Sequence, residues 1–221
     1  MSAWIAMMLM SATVAWSEDR SFFAIQVVDD ATGRGVPLVQ LQTTDKARYY
    51  TDSNGYVAFD EPGLMDQEVW FTISSHGYEF PGESFGKRGV TLKVTPGGKT
   101  QLKIRRMNLA ERLYRVTGQG IYRDTVRLGI QPPIAQGLLN AKVMGQDTVQ
   151  TAIYRGKLYW FWGDTDRPSS HLGNFFTSGA TSGLPGQGEL DPSIGVNLTY
   201  FANASFASPP VLQKPSFEGL A

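Results

Sequence analysis

Hydrophobic and polar residues alternate in short runs between residues 22 and 104, and turn-forming residues separate the runs. Phe23, Ile25 and Val27 occupy alternate positions of the first run, which places their side chains on one face of a strand. Because no helical period separates the runs, the pattern predicts a two-sheet antiparallel sandwich over residues 20–107. The predicted strands are Phe22–Asp29, Val36–Thr43, Arg48–Thr51, Tyr56–Phe59, Glu68–Ser74, Val90–Val94 and Thr100–Ile104.

Two tight turns punctuate this region. Asp52-Ser53-Asn54-Gly55 contains Asn-Gly, a strong signal for a short hairpin, so the sequence predicts that its flanking strands pair with each other. Thr95–Lys99 carries Pro-Gly-Gly and predicts a second tight turn.

Three strings in this region resemble the prealbumin-like and carboxypeptidase-regulatory-like modules: VVDDATGRGVPLVQLQTTD, TDSNGYVAFDEPG and FTISSHGYEF. The resemblance covers about 85 residues and implies an antiparallel β-sandwich. Such modules serve as spacers, stabilisers or binding domains in exported proteins, so the resemblance implies no single function. The matching positions are Asp29, Thr32, Gly33, Pro37, Thr51, Asp52, Gly55 and Tyr56.

The segment 108–118 follows as a predicted helical connector. Asn108 suits an N-cap and Glu111 stands three residues later, which is the capping-box spacing. Leu109 and Leu113 lie four residues apart, so a helix over Asn108–Arg115 would turn both toward the sandwich.

Strand character returns in Gln119–Leu128 and again after residue 140. Val149–Tyr154 and Lys157–Gly163 flank the two-residue turn Arg155-Gly156 and predict a hairpin. Both faces of its second strand are apolar, because Trp160 and Trp162 alternate with Tyr159 and Phe161, and such strands belong inside packed sheets. A long loop is predicted between Thr165 and Pro192, and a further strand over Gly195–Phe201.

The string MGQDTVQTAIYRGKLYWFWGDT, residues 144–165, resembles the first blade of five-bladed glycosidase-type propellers of the arabinanase and levansucrase type. A blade has four strands and at least four blades are needed for closure. The resemblance therefore implies that residues 119–221 hold the first blade or blades of an incomplete β-propeller-like domain, and we expect the chain to be a fragment. The expected fold class is all-β.

Composition narrows the possible chemistry. Lys plus Arg and Asp plus Glu both number 20, so no basic excess favours nucleic acid as a partner. The absence of cysteine excludes disulfides, thiolate catalysis and cysteine-ligated zinc. No P-loop or dinucleotide fingerprint occurs, and no cofactor is predicted.

The N-terminal run Ala3–Ala15 carries no charge and has the length of a signal-peptide core, too short to span a bilayer. We therefore expect residues 1–17 to be a signal peptide, no other membrane segment, and a secreted, periplasmic or cell-envelope location. A buried N-terminal helix is the alternative.

Asp147 and Asp164 are the candidate catalytic residues, because the predicted hairpin brings both to its open end and glycosidases use paired carboxyl groups. By resemblance, Asp147 is the candidate base. Trp160, Trp162 and Asp166 are the candidate substrate-binding residues, since apolar sugar faces pack on aromatic rings. The alternative is that Asp147 and Asp164 only cap their own turns.

His76 and Glu79 have the H-x-x-E spacing of a zinc motif, with His171 as a conceivable third ligand. A solvent-facing histidine at the end of a sandwich strand is the favoured interpretation, so no metal site is predicted.

The leading functional hypothesis is an exported carbohydrate-active or carbohydrate-binding protein, a fragment of a glycosidase-like propeller enzyme that is inactive alone, with glycans as partners. The alternative is a non-catalytic envelope or surface protein that serves only as a binding module or a spacer. The sequence does not specify the oligomeric state.

Overall fold

The computed structural model describes residues 21–118, 120–169, 177–187 and 189–201. These residues form an almost entirely β structure with several antiparallel sheets, one of which curls into a half-barrel. The all-β prediction is confirmed, and the architecture is compatible with a sandwich followed by part of a propeller. The expected signal peptide, residues 1–17, lies outside the described residues.

Nine strands build the first region, two more than the sequence predicts. They are β1 (Phe23–Asp29), β2 (Gln40–Gln42), β3 (Arg48–Tyr50), β4 (Tyr56–Phe59), β5 (Glu68–Ser74), β6 (Tyr78–Glu79), β7 (Glu83–Ser84), β8 (Lys87–Lys93) and β9 (Lys99–Arg106). One sheet has the order β4-β1-β9-β6 and the other β3-β2-β5-β8-β7. β1 and β9 run parallel, while the other described pairs in these two sheets are antiparallel.

The two sheets enclose one hydrophobic core. Ile25 and Phe59 from the first sheet and Leu41 and Phe71 from the second are all fully buried in it. The Phe59 and Phe71 rings meet edge to face, with centroids 5.3 Å apart. The alternation in β1 therefore buries Phe23, Ile25 and Val27, the residues that it predicts, and the predicted sandwich is the observed arrangement.

The predicted hairpin at Asn54-Gly55 is wrong. β3 and β4 lie in different sheets, so the turn Asp52–Gly55 carries the chain across the sandwich instead of pairing its flanking strands. The turn itself forms, with Gly55 donating to the Asp52 carbonyl at 2.9 Å. Gly55 has φ +76°, and a Cβ there would lie 2.2 Å from the Val27 carbonyl oxygen. Close backbone packing selects the glycine.

The helical connector is also wrong. Residues 108–118 form no helix, and Leu109 is fully exposed instead of facing the sandwich. Glu111 does not close a capping box: its carboxylate contacts the guanidinium groups of Arg34 and Arg106. Two strong ion-pair partners on the sandwich hold this side chain in an irregular segment, which overrides the local helix signal.

The second region has one short helix and a five-stranded sheet. The elements are α1 (Arg123–Arg127), β10 (Gly145–Gln146), β11 (Val149–Tyr154), β12 (Lys157–Asp166), β13 (Thr177–Ser182) and β14 (Thr199–Tyr200). The sheet order is β10-β12-β13-β14, with β11 also paired to β12 on the same side as β10.

The hairpin of β11 and β12 is confirmed, with Tyr154 opposite Lys157 and Val149 opposite Trp162. Its turn residues Arg155 and Gly156 have φ of 48° and 74°. Two positive φ values are the signature of a type I′ turn, which matches the twist of paired strands.

Three other expectations for this region are corrected. Within the predicted strand Gln119–Leu128, the described residues 120–128 contain the helix α1 and no strand, since Ile121 and Tyr122 pack with Ile134 and not across a ladder. The predicted loop after Thr165 is interrupted by β13, which pairs along β12. The predicted strand at Gly195–Phe201 is reduced to β14.

Asp52 joins the two regions. Its carboxylate is buried, and Oδ2 accepts hydrogen bonds from the Thr125 backbone N–H at 2.6 Å and from Thr125 Oγ1 at 2.7 Å. Ser53 adds a backbone bond to the Ile121 carbonyl at 2.8 Å. Burial, the largest effect, raises the pKa of Asp52, while these hydrogen bonds act in the opposite direction. α1 is therefore fixed to the sandwich by a buried polar contact.

Arg112 connects the segment 108–118 to the sandwich. Its guanidinium donates to the Pro37 carbonyl at 2.9 Å, to Ser75 Oγ at 3.0 Å and to the His76 carbonyl at 3.0 Å.

The only helix among the described residues is the five-residue α1, which is too short to cross a membrane.

Candidate functional site

The β11–β12 hairpin places Asp147 and Asp164 side by side. The Asp147 N–H donates to the Asp164 carbonyl at 2.9 Å, and the Gly163 N–H donates back to the Asp147 carbonyl at 3.0 Å. Thr148, between this pair and β11, has φ 33° and gives its carbonyl to the same Gly163 N–H. Asp147 and Thr148 therefore both lie opposite Gly163. Such a two-to-one pairing is a β-bulge, and it turns the chain at the open end of the hairpin.

The two carboxyl groups have different surroundings. Asp147 is exposed, and its Oδ1 accepts the N–H of the next residue, Thr148, at 2.7 Å. This contact supports the turn-capping interpretation of Asp147, although the second oxygen of a carboxylate remains available to a ligand. Asp164 is half-buried. The assignment of both residues to catalysis stays a prediction.

A groove with a volume of about 250 Å³ opens beside Asp147. Asp147 is the one carboxylate among the described residues that line it, since Asp164 and Asp166 stand outside. The groove therefore combines aromatic surface with one acidic group and several polar groups. Its lining consists of Val116, Thr117, Gln146, Asp147, Thr148, Val149, Trp160 and Trp162.

Trp160 and Trp162 form the aromatic wall of this groove. Their rings are stacked, with centroids 5.7 Å apart and planes inclined by 6°. Trp162 is buried, while Trp160 is half-buried and donates its indole N–H to Ser182 Oγ at 2.9 Å. The structure thus brings together Asp147 and both predicted tryptophans, and leaves Trp160 as the more accessible ring.

Hydrogen bonds along the sheet hold this wall in place. Gln146 donates through Nε2 to Ser178 Oγ at 2.7 Å and accepts the Tyr200 hydroxyl at 3.2 Å. The Tyr200 ring lies 5.8 Å from that of Trp162. Burial raises the pKa of Tyr200, so its hydroxyl stays protonated and serves as a donor. These contacts link Gln146 to β13 and β14 and pack the Tyr200 ring against Trp162.

Asp166, the third predicted substrate-binding residue, lies near the end of β12. It pairs with Gly145, and its carbonyl accepts the Met144 N–H at 2.9 Å. A Cβ on Gly145 would stand 3.2 Å from Asp166 Oδ2, so the side chain packs over β10. The structure places Asp166 outside the groove.

The opposite face of the sheet carries aromatic residues that the sequence reasoning did not single out as a site. Phe161 is 40% exposed and Tyr154 55% exposed. Phe201 joins them through ring contacts with Phe161 and Tyr159, both at 6.3 Å. The alternation in β12 identifies which rings share a face, but it does not say which face is covered. The expectation that both faces are buried is therefore wrong.

A larger concave region, about 490 Å³, lies between the α1 segment and β14. Both of its asparagine side chains are already engaged: Asn140 donates to the Leu198 carbonyl at 2.7 Å, and Asn197 accepts the Ala135 N–H at 2.7 Å. No carboxylate or cationic side chain occurs among its described lining residues. We therefore consider the smaller groove the better candidate site.

No group of three or more His, Asp or Glu side chains among the described residues is placed to hold a metal ion. His171 lies outside the described residues. No protein-family model matches the chain, and no curated protein matches it.

Proposed function

We propose that this protein binds carbohydrate through the groove formed by Trp160, Trp162 and Asp147. The observation that supports this most directly is the combination of a stacked tryptophan pair with an exposed carboxylate in one concave surface. Sugar rings present apolar C–H faces and a rim of hydroxyls, so they suit an aromatic surface with polar groups at its edge.

The proposal is binding and not hydrolysis. Glycosidases need two carboxyl groups on opposite sides of the scissile bond, and Asp147 is the one carboxylate among the described lining residues. The resemblance to arabinanase-type and levansucrase-type propellers supports neutral pentose and fructose polymers as first ligands to test. We also propose that the first region is a prealbumin-like module, that the second is glycosidase-type propeller structure, and that the protein is exported from the cell.

Isothermal titration with soluble arabinan and levan tests the proposal. Trp160→Ala removes the accessible ring and should abolish the heat of binding, while Asp147→Asn should weaken binding because the amide keeps the shape and loses the charge. Trp70→Ala, on the sandwich, is the matched control and should leave binding unchanged. Equal affinity for wild type and Trp160→Ala would refute the groove as the site.

A non-catalytic spacer role is the second candidate. The polar contacts of Asp52 favour it, because they fix α1 to the sandwich as a spacer requires, and Arg112 fixes the connecting segment to the sandwich. Absence of binding to any tested polysaccharide, in a protein whose two regions unfold together, would favour this alternative.

A further inference from the structure

β11 is an exposed edge strand without the usual protection. All six of its residues are exposed, and within the part of the chain that the structure describes it pairs on one side only, with β12. Its sequence VQTAIY contains no charge and no proline. Soluble proteins normally place lysine, proline or a covering loop at such an edge, because its free N–H and C=O groups offer a template for another strand.

The register shows which backbone groups are free. Tyr154 and Lys157 close a two-residue hairpin, so they form a hydrogen-bonded pair, and such pairs recur at every second residue. The N–H and C=O groups of Val149, Thr151 and Ile153 therefore point away from β12. The side chains of these three residues share the face of Trp160 and Trp162, and those of Val149 and Ile153 are 53% and 69% exposed.

We infer that β11 pairs antiparallel with β11 of a second copy of this chain, about a two-fold axis at Thr151. In this register Thr151 lies opposite itself and Val149 opposite Ile153, so every opposed pair has outward backbone groups on both strands. β-branched residues then meet across the axis, a favourable cross-strand arrangement.

Charge complementarity selects this partner and this register. Asp147 and Arg155 lie four residues to either side of Thr151, so the two-fold axis brings Arg155 of one copy toward Asp147 of the other. Neither charge has an ion-pair partner among the described residues of its own chain. A parallel arrangement would set like charges side by side, which disfavours it.

The two sheets become one continuous sheet in this dimer, and Arg155 of the second copy borders the groove beside Asp147. The inference does not rest on carbohydrate binding, since its evidence is the edge, the register and the two charges. Its tests measure association and not ligand affinity.

Cross-linking through a single cysteine gives the sharpest test, because the chain contains no cysteine of its own. Thr151→Cys places two thiols opposite each other at a backbone separation of about 5.5 Å, within reach of a short thiol–thiol cross-linker. Tyr154→Cys is the matched control: it is exposed on the same strand, but its two copies are separated by six residues, about 20 Å. The full chain with Thr151→Cys should be captured as a covalent dimer and the control should not.

Sedimentation velocity provides the second measurement. Wild type should sediment with twice the monomer mass, and Ile153→Lys should sediment as a monomer, since it places a charge in the interface at an exposed position. Thr91→Lys, on an exposed strand position of the sandwich, should remain a dimer. A monomeric wild type, a dimer that persists in Ile153→Lys, or equal cross-linking of the two cysteine variants would each overturn the inference.

Discussion

Replacing Thr125 by valine tests whether the buried Asp52 carboxylate holds α1 against the sandwich. Thr125 is fully buried, and its Oγ1 donates to Asp52 Oδ2 at 2.7 Å. Valine keeps the shape of threonine and removes the donor. The backbone N–H of residue 125 still reaches the same oxygen at 2.6 Å, so the carboxylate loses one bond of several and is not left without a partner.

A hydrogen bond to a charged group contributes about 1.5–3 kcal/mol, so we expect Thr125→Val to lower the free energy of unfolding by about 2 kcal/mol. With a urea slope of about 2 kcal/mol per molar, the midpoint should fall by about 1 M. Tryptophan fluorescence and circular dichroism during urea denaturation measure this shift. Coincident curves from the two probes would show that the transition is two-state.

The exposed Thr91→Val is the matched control and should change stability by less than about 0.5 kcal/mol. A double-mutant cycle with Asp52→Asn should show a coupling of about 0.5–3 kcal/mol, because both changes remove the same contact. If Thr125→Val unfolded within about 0.5 kcal/mol of wild type, the contact would contribute no more than an exposed surface position. The proposed contribution of the Thr125 hydroxyl to joining the two regions would then be wrong.

Three further predictions concern the same framework. A carboxyl whose pKa is raised on folding binds protons more tightly in the folded chain, so the stability advantage of wild type over Asp52→Asn should grow as the pH falls from neutral toward about 4; an advantage that shrinks on acidification would contradict this. Gly55→Ala should lower stability by about 3 kcal/mol or prevent folding, because its Cβ would meet the Val27 carbonyl at 2.2 Å, whereas Gly33→Ala, where no atom lies within 4 Å, should cost about 1 kcal/mol in a thermal melt. Residues 20–107 expressed alone should unfold cooperatively with β-type circular dichroism, since the sandwich core is internal to that segment; a molten product would place the boundary elsewhere.

Local signals determined the strands and turns of this chain where one face is buried and the chain pairs with its immediate neighbour. Alternation in β1 identified its core residues Phe23, Ile25 and Val27, since a one-residue slip would expose the whole set. The two residues Arg155-Gly156 between runs of similar length determined the β11–β12 register, because a type I′ turn and its paired strands are specified within about a dozen residues.

The same kind of signal failed at Asn54-Gly55. The turn formed as predicted, but its flanking strands β3 and β4 joined different sheets. Pairing across a sandwich depends on which strand buries which face, and Gly55 is required there by contact with Val27, a residue distant in sequence. Local sequence determines which residues form a strand, whereas tertiary packing determines which strands pair with each other.

The helix prediction failed for a related reason. Asn108 and Glu111 have capping-box spacing, but Arg34 and Arg106 bind the Glu111 carboxylate, and two charge-assisted contacts outweigh a few tenths of a kcal/mol per residue of helix propensity. Arg34 is 77 residues from Glu111 along the chain, so it comes close to that carboxylate only after the sandwich has folded.

For the candidate site, the sequence by itself determined that Asp147 and Asp164 meet at one end of a hairpin and that Trp160 and Trp162 share a face. Only the tertiary structure decided that this face packs and forms the groove with Asp147, and that Phe161 on the opposite face is exposed. The physical reason is that alternation assigns side chains to faces, while burial of a face depends on what packs against it: here β14 and the segment around Val196, distant in sequence.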